Sequence, residues 1–342
     1  MSARRPRIAI NGLGRIGRAF ARLAALDPAC PFDLVAANDL TDPDALAYLM
    51  RYDSAHGRFG GDLSLEGTLL KAGSQAIQLF AQADPAKLPW GALGVDVVIE
   101  STGRFRKRSE AMLHVQAGAA KVLISAPGES GSEAPDITVI RGINCQLLTA
   151  EHQVVSAASC TTTCLAPVAK ALHHALGIES GVMSTVHAYT ADQVLVDTAH
   201  KKELRRGRSA AVNIVPTSTG AAKAIGLVVP ELLGKLHGVA MRVPVQDVSL
   251  IDLVLQVSRD TTSAEVNQIL RDAAAAYLPG TLRVEDQPVV SSDLIGDGSG
   301  SVFDPSLTHV QGSRLVKVVS WYDNEWGYAS RLYALTGYLA SL

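Results

Sequence analysis

The hydrophobic positions of this chain change rhythm near its middle, and that change sets the first expectations. Arg7–Asn11 (RIAIN) is a short β-branched run ended by glycine, and Ile16–Leu26 is an Ala/Leu-rich stretch of helical character. Phe32–Asn38 (FDLVAAN) follows as a second strand, which completes a β-turn-α-β unit of about 35 residues. Val95–Ile99 and Lys121–Ile124 are further strands of the buried type, separated by a helical pattern over Ser109–Ala120. Strands alternating with helices predict an α/β fold, a doubly wound parallel sheet with helices on both faces.

After about Cys160 the runs lengthen and alternate, as in Ser249–Val257 (SLIDLVLQV) and Leu315–Trp321 (LVKVVSW). Helices are predicted over Ala210–Gly226 and Ser263–Tyr277. This half therefore reads as an α+β domain with a mainly antiparallel sheet and helices on one side. The last stretch, Asn324–Leu342, is helical with no strand to follow, so it must pack back onto something already built. Gly128–Ser132 and Gly296–Gly300 read as loops, and no repeat interrupts the chain.

The 342 residues suffice for two domains at roughly 100–200 residues each. A formal net charge of −2 gives no reason to expect nucleic acid or an anionic membrane as partner. Four cysteines (Cys30, Cys145, Cys160, Cys164) are too few for a disulfide scaffold and fit a reducing compartment. Met1–Pro6 leads into an apolar run too short for a signal peptide, and no stretch approaches the roughly 20 apolar residues of a spanning helix. A cytoplasmic location is the expectation.

Chemistry enters at four places. Gly12-Leu13-Gly14-Arg15-Ile16-Gly17 lies between a predicted strand and a predicted helix, the context that a dinucleotide fingerprint requires. Glycines let the backbone approach a pyrophosphate, and the helix start turns its free N–H groups to the anion. Asp39 ends the second strand, where a carboxylate can hold the adenosine ribose hydroxyls and repel a 2′-phosphate. A glycine-rich turn without ligand is the alternative.

Cys160 sits in Ser156–Cys164 (SAASCTTTC), with a strand over Gln153–Val155 leading in and a helix over Cys164–Leu176 leading out. A thiol near a helix N-terminus is expected to have its pKa drawn below about 8.5. Cys164, one turn on, reads as buried packing. Alone, a cysteine in a Ser/Thr cluster is more often structural. His187 changes that, because it follows the strand Val182–Val186 and can serve as acid and base beside a thiol. Thr190, the Thr219-Gly220 turn and Arg242 are polar groups in apolar segments and suit phosphate. Lys201–Arg208 (KKELRRGR) holds five cations in eight residues and reads either as a solvated basic loop or as a source of a phosphate-facing arginine.

These segments, in this order, resemble phosphorylating glyceraldehyde-3-phosphate dehydrogenase. The similarity takes in Ile10–Arg18 (INGLGRIGR), Asn38-Asp39, Glu100–Phe105 (ESTGRF), Ile124–Pro127 (ISAP) and Ala158–Thr162 (ASCTT). It continues through Thr185–Thr190 (TVHAYT), Pro216–Ala224 (PTSTGAAKA), Met241–Pro244 (MRVP) and Trp321–Tyr328 (WYDNEWGY). The resemblance implies a Rossmann domain over 1–158, completed by the helix 325–342, a catalytic domain over 159–324, and a homotetramer. It implies that Cys160 attacks the aldehyde of glyceraldehyde 3-phosphate with His187 as base, that NAD takes the hydride, and that inorganic phosphate attacks the resulting thioester. No metal is implied. Gly12, Gly14, Arg15, Ile16, Asp39, Ser125 and Asn324 would hold the cofactor. The substrate phosphate would rest on Thr190, Asp192, Arg206 and Arg242, and the incoming phosphate on Ser159, Thr161, Thr219 and Gly220.

The sequence departs from the family in two places. Relatives usually carry asparagine where Ala157 and Thr163 stand, and Asp197-Thr198-Ala199-His200 replaces a stretch that often holds proline in strictly NAD-linked members. Some NADP use is compatible with the second change, although Asp39 argues for NAD. Two rival readings follow from the same residues, an erythrose-4-phosphate dehydrogenase and a catalytically weak NAD-binding relative with a scaffold role.

Overall fold

The computed structural model describes residues 4–201 and 203–342, so Met1–Ala3 and Lys202 of the basic run lie outside the described residues. The chain forms two compact units, one of residues up to Ala158 together with Ala329–Leu342, the other Ser159–Tyr328. In the first, β1 (Arg7–Asn11) runs through α1 (Arg15–Leu26) to β2 (Asp33–Asn38). Then come α2 (Pro43–Arg51), a ribbon of β3 (Tyr52–Asp53) and β4 (Gly57–Arg58), and an antiparallel meander of β5 (Leu63–Glu66), β6 (Leu69–Ala72) and β7 (Gln75–Phe80). The unit continues through β8 (Val97–Glu100), α3 (Arg108–Gln116), β9 (Lys121–Ile124), β10 (Ile137–Thr138) and β11 (Val154–Ser156).

The sheet order is β10-β11-β9-β8-β1-β2-β7-β6-β5, parallel from β10 to β7. Strand order runs outward in both directions from β1, so a crevice opens at the carboxyl ends of β1, β2 and β8, the usual ligand position in such sheets. Buried β-branched and alanine positions fill these strands (Ile8, Ile10, Val97, Ile99), as a sheet covered on both faces requires. The helix expected over Ser109–Ala120 stops at Gln116. Gly118 turns the chain there at φ +102°, and a Cβ at that position would come within 2.4 Å of Gly91.

In the second unit α4 (Cys160–Leu176) leads to β12 (Ile178–Ala188), β13 (Val215–Ser218), α5 (Ala221–Val228), β14 (Leu236–Val243) and β15 (Ser249–Val257). After α6 (Ser263–Ala276) come β16 (Leu282–Val284), β17 (Ser301–Gln311) and β18 (Leu315–Tyr322), and α7 (Trp326–Leu339), from Ala329 onward, belongs to the first unit. The order β13-β14-β12-β15-β18-β17-β16 is mainly antiparallel, with parallel pairs only at β12–β14 and β16–β17. Along β15 buried Ser249, Ile251, Leu253, Leu255 and Val257 alternate with half-buried neighbours, and α4 packs on β12, β15, β17 and β18.

Two expectations are corrected here. The predicted helix Ala210–Gly226 is a strand in its middle part: β13 pairs with β14 and only Ala221–Val228 is helical. Pro216 disfavours helix at the residue before it and is tolerated in a strand because β13 is an edge. The helix carrying the thiol begins at Cys160 rather than Cys164, because the Ser159 hydroxyl accepts the Thr162 N–H at 3.1 Å and caps it.

The C-terminal helix packs back onto the first unit through an aromatic cluster. The Tyr333 ring lies 5.1 Å from Phe32 and 6.0 Å from Phe20, and its hydroxyl donates to Asp27 Oδ2 at 2.7 Å. Tyr333→Phe is expected to cost about 0.5–1.5 kcal/mol and Tyr333→Ala about 2–3 kcal/mol in urea unfolding followed by circular dichroism. Equal losses in the two variants would show that the ring contacts contribute nothing.

Candidate active site

The glycine turn meets the fit required for a dinucleotide. Gly12 lies at φ +98°, where an added Cβ would stand 2.8 Å from Thr102 N, and a Cβ on Gly17 would stand 2.0 Å from Gly12 O. Gly14, by contrast, faces open space. The turn is thus closed behind and open in front, which is the cradle that a pyrophosphate needs. Gly14 caps α1 without a side chain, and the N–H groups of Arg15 and Ile16 stand at the helix start, where no intrahelical acceptor exists. A cavity of about 260 Å³ opens there, lined among others by Gly12, Gly14, Asp39, Asn38, Thr102 and Phe105.

Asp39 lies on this cavity, its Oδ2 accepting Leu13 N–H at 2.7 Å and its Oδ1 accepting Thr41 N–H at 2.9 Å. Its carboxylate is therefore fixed across the glycine turn. The Arg15 guanidinium pairs with Asp53. Burial alone would raise the Asp53 carboxyl, yet hydrogen bonds from Arg15 and from the His56 and Ala55 N–H groups hold it well below its usual range. Ser125 stands at the end of β9, its N–H donating to Glu100 O at 2.9 Å.

Sequence reasoning passed over the floor of this cavity. Asn38 Nδ2 donates to Asn11 Oδ1 (2.7 Å), Asn11 Nδ2 to Glu100 Oε2 (2.6 Å), and Thr102 N–H to Glu100 Oε1 (2.8 Å). Behind them the Trp90 indole N–H donates to His114 Nδ1 at 3.0 Å. Asn11, Asn38 and Glu100 end β1, β2 and β8. Polar residues closing apolar parallel strands were the available signal.

In the second unit Cys160 is the first residue of α4, and its Sγ lies 3.6 Å from His187 Nε2 near the end of β12. The expected lowering of the thiol pKa is not what the surroundings give. Burial, the strongest influence, pushes the Cys160 thiol up, while the Arg242 charge and Thr161 pull it down. His187 is pushed down to about 3 by burial and by Arg242, against the Ala188 carbonyl. Burial thus favours the uncharged form of both groups. Cys164 is fully buried, beside Ser301 Oγ at 3.4 Å, and burial raises its thiol to about 12.

The anion donors divide into two sets. Arg242 Nη1 stands 2.5 Å from His187 Nδ1 and donates to Ala188 O at 3.1 Å, and Arg206 and Asp192 are near enough to shift its buried guanidinium in opposite directions. Arg206, not Arg205, pairs with Asp192, and its Nε donates to Thr217 Oγ1 at 2.8 Å and Glu203 Oε2 at 3.1 Å. Thr190 lies just past the end of β12. Thr219 and Gly220 form the start of α5, the Thr219 hydroxyl accepting Ala221 N–H at 3.2 Å, outside the hydrogen bonds of the Cys160–His187–Arg242 cluster. The Ser159 hydroxyl is engaged as helix cap, and the Thr161 hydroxyl is turned to Tyr322 OH at 2.9 Å. Asn324 Oδ1 accepts from Ser249 Oγ at 2.6 Å. In the basic run Arg206 and Arg208 are paired with Asp192 and Asp197.

Iodoacetamide is expected to alkylate Cys160 and spare Cys164 at pH 8. The Cys160 rate should climb steadily with pH through and beyond the ordinary thiol range, because burial raises that thiol. No inflection is expected between pH 6 and 7, since His187 is neutral there. Mass spectrometry of peptides from timed samples would reveal an early Cys164 adduct or a His187 inflection, and either would contradict this electrostatic picture.

Residues 6–108 match the NAD binding domain of glyceraldehyde 3-phosphate dehydrogenase, and residues 159–324 match its C-terminal domain. Similar relatives include glyceraldehyde-3-phosphate dehydrogenase 1 of Bacillus subtilis, 49% identical over 98% of both chains. Another is glyceraldehyde-3-phosphate dehydrogenase 1 of Streptomyces avermitilis, 52% identical over 95% of this chain and 96% of the relative. The Pseudomonas aeruginosa enzyme is 50% identical over the same shares. With a cofactor cradle in one unit and a thiol–imidazole pair in the other, the chain belongs to the glyceraldehyde 3-phosphate dehydrogenase family and carries its NAD-binding domain.

Proposed function

We propose that the chain oxidises glyceraldehyde 3-phosphate to 1,3-bisphosphoglycerate with NAD and inorganic phosphate. The observation that carries this reading is the Cys160 Sγ to His187 Nε2 distance of 3.6 Å at a capped helix start. In the first step Sγ bonds to the aldehyde carbon while His187 takes the thiol proton and returns it to the oxygen, giving a thiohemiacetal. Bound NAD supplies the hydride acceptor. As the hydride leaves carbon, His187 removes the hydroxyl proton and a thioester remains on Cys160. A phosphate oxygen then attacks the carbonyl carbon, and Sγ leaves as thiolate and recovers its proton from His187.

The backbone of Gly12, Gly14, Arg15 and Ile16 would hold the pyrophosphate, Asp39 the adenosine ribose, and Ser125 and Asn324 would complete the cofactor contacts. Arg242, Thr190, Asp192 and Arg206 would take the substrate phosphate, and Ser159, Thr161, Thr219 and Gly220 the incoming one. For Thr161, whose hydroxyl is engaged by Tyr322, the donor would be the backbone N–H. Asp192 joins the set through Arg206, which it orients.

The assembly reading is a homotetramer in the cytoplasm. Among the described residues no helix is long and apolar enough to cross a membrane. Leu195, Val196, Leu204, Val212 and Ile214 are 69–86% exposed, a concentration of apolar surface that a second copy of the chain would cover.

Two measurements test these readings. NADH formation from glyceraldehyde 3-phosphate should need inorganic phosphate for turnover, and Cys160→Ser should abolish it while NAD still binds. Faster turnover with erythrose 4-phosphate would reassign the substrate. NAD should give a higher kcat/KM than NADP, and Asp39→Ala should narrow that gap by removing the carboxylate that repels a 2′-phosphate. A wild type that prefers NADP would overturn the role given to Asp39.

A further inference from the structure

His114 is fully buried behind the cofactor cavity, and no step of the reaction above uses it. Its two ring nitrogens have different and fixed duties. The Trp90 indole N–H, which can only donate, meets Nδ1 at 3.0 Å. Nδ1 therefore carries the lone pair, and Nε2 offers its proton to Glu100 Oε2 at 3.1 Å. Glu100 is buried too, and both of its oxygens are in use. Oε1 accepts the Thr102 N–H at 2.8 Å and the Thr102 hydroxyl, while Oε2 accepts Asn11 Nδ2 at 2.6 Å beside His114. Asn11 and Thr102 line the cavity, so of the donors to this carboxylate His114 alone stands back from it.

We propose that His114 is a positioning residue for the cofactor, fixing the wall of the dinucleotide cavity through Glu100 without touching the ligand. This rests on the reading of the glycine turn and its cavity as the cofactor site. Two branches leave the carboxylate. Through Oε1 it holds Thr102, whose backbone nitrogen stands 2.8 Å from where a Cβ on Gly12 would lie, and the adjacent Ser101 hydroxyl donates to Gly12 O at 2.6 Å. The Ser101–Thr102 backbone thus sets the height of the glycine turn. Through Oε2 it holds Asn11, whose Oδ1 accepts from Asn38 Nδ2 at 2.7 Å. Asn38 in turn accepts the Gln82 N–H at 2.8 Å and donates to Gln82 O at 2.9 Å, and all three residues line the cavity. The His114 ring also stands edge-on to Phe105, another lining residue, with centroids 6.4 Å apart. Without the Nε2–H, a buried carboxylate short of a donor regains one only by turning. Turning takes an oxygen from Thr102 or from Asn11, and the wall shifts. Asp39 lies on the same cavity, so the loss falls on the adenosine half of the cofactor.

The test compares His114→Leu, which keeps the bulk and loses the donor, with His114→Gln, whose side-chain N–H can reach Glu100. NAD and AMP affinities of the full chain are measured by calorimetry. In His114→Leu both are expected to fall by about tenfold, the change that one charge-assisted hydrogen bond can hold, and His114→Gln is expected to recover most of that loss. Wild-type affinities in His114→Leu would overturn the proposal. A glutamine variant no better than the leucine variant would also overturn it and leave the imidazole as packing alone. So would a loss for NAD with none for AMP. Asp39→Ala, which alters the cavity but not His114, tests the cofactor site separately. Unchanged NAD affinity there would remove the cavity as that site, whereas a loss there with none in His114→Leu would refute the role of His114 alone.

A second arm needs no variant, so a folding failure of His114→Leu would not shield the proposal. In the wild type labelled with 15N in histidine and tryptophan, the His114 ring is recognised by the coupling of its Nδ1 to the Trp90 indole nitrogen across their hydrogen bond. Its proton is expected on Nε2. Saturating AMP is expected to shift that Nε2 resonance, although the nucleotide does not reach the ring. Absence of the Trp90 coupling, or an Nε2 resonance indifferent to AMP, would overturn the proposal.

Discussion

The geometry of the thiol depends on one fully buried hydroxyl, that of Tyr322. It lies 2.9 Å from Thr161 Oγ1, next to the nucleophile on α4, and 2.8 Å from Thr185 Oγ1, two residues before His187 on β12. The Thr185 hydroxyl already donates to Leu250 O at 2.9 Å, so Tyr322 must donate to Thr185 and is left to accept from Thr161. A buried hydroxyl without partners costs about 1–3 kcal/mol, which makes this arrangement hard to leave. The Tyr322 ring edge also packs on the His187 imidazole at 5.8 Å. One side chain from β18 thus ties the helix that carries the sulfur to the strand that carries the base.

The cofactor unit has a comparable constraint built from close approach rather than from a hydroxyl. The Gly12 Cα has no room for a Cβ because the backbone of Ser101 and Thr102 presses against it, and the Ser101 hydroxyl donates to Gly12 O at 2.6 Å. Glu100 accepts from Thr102 on one oxygen and from Asn11 on the other, so the same carboxylate fixes both sides of the turn. Trp90 settles the His114 tautomer from behind, since an indole N–H can only donate. Nδ1 therefore carries the lone pair, and Nε2, 3.1 Å from Glu100 Oε2, carries the proton that it donates there. The glycines permit the approach, and this polar floor holds it in place.

Both architectures were legible because hydrophobic periodicity reports burial, and parallel and alternating sheets bury their strands differently. What failed was local. Thr161-Thr162-Thr163 discouraged a helix by propensity, yet the Ser159 cap and the Thr163 hydroxyl, bonded to Ser159 O at 2.9 Å, carry one through. Pro216 lies inside the stretch Ala210–Gly226 that predicts a helix, and only pairing with β14 reveals a strand. At the site, single residues such as Cys160 and His187 showed in the sequence, since each has few other reasons to stand where it does. Tyr322, Asn11 and Glu100 did not, because their roles lie in partners 89–161 residues away in the chain. The thiol pKa departs from the sequence expectation for the same reason: a helix N-terminus is visible in a sequence, and the burial that raises the thiol is not.

Thr163 bears on how this chain manages without the asparagines usual in its relatives. Its hydroxyl reaches back to Ser159 O, so the first turn of α4 is braced by a side chain, though by one shorter than an amide. Ala157 is buried and its N–H donates to Ile124 O at 2.9 Å, so the strand leading to the turn is held by its backbone. Between them Ala158 adopts φ +58°, a conformation that costs an L-residue roughly 1–2 kcal/mol. That strain persists because the Ala158 N–H is held by Ser156 Oγ at 3.1 Å, and Ser156 in turn by Ala126 O at 2.8 Å. The turn before the nucleophile is therefore fixed by backbone and hydroxyl contacts where relatives place amides, and the smaller side chains are part of a packed arrangement rather than a gap in it.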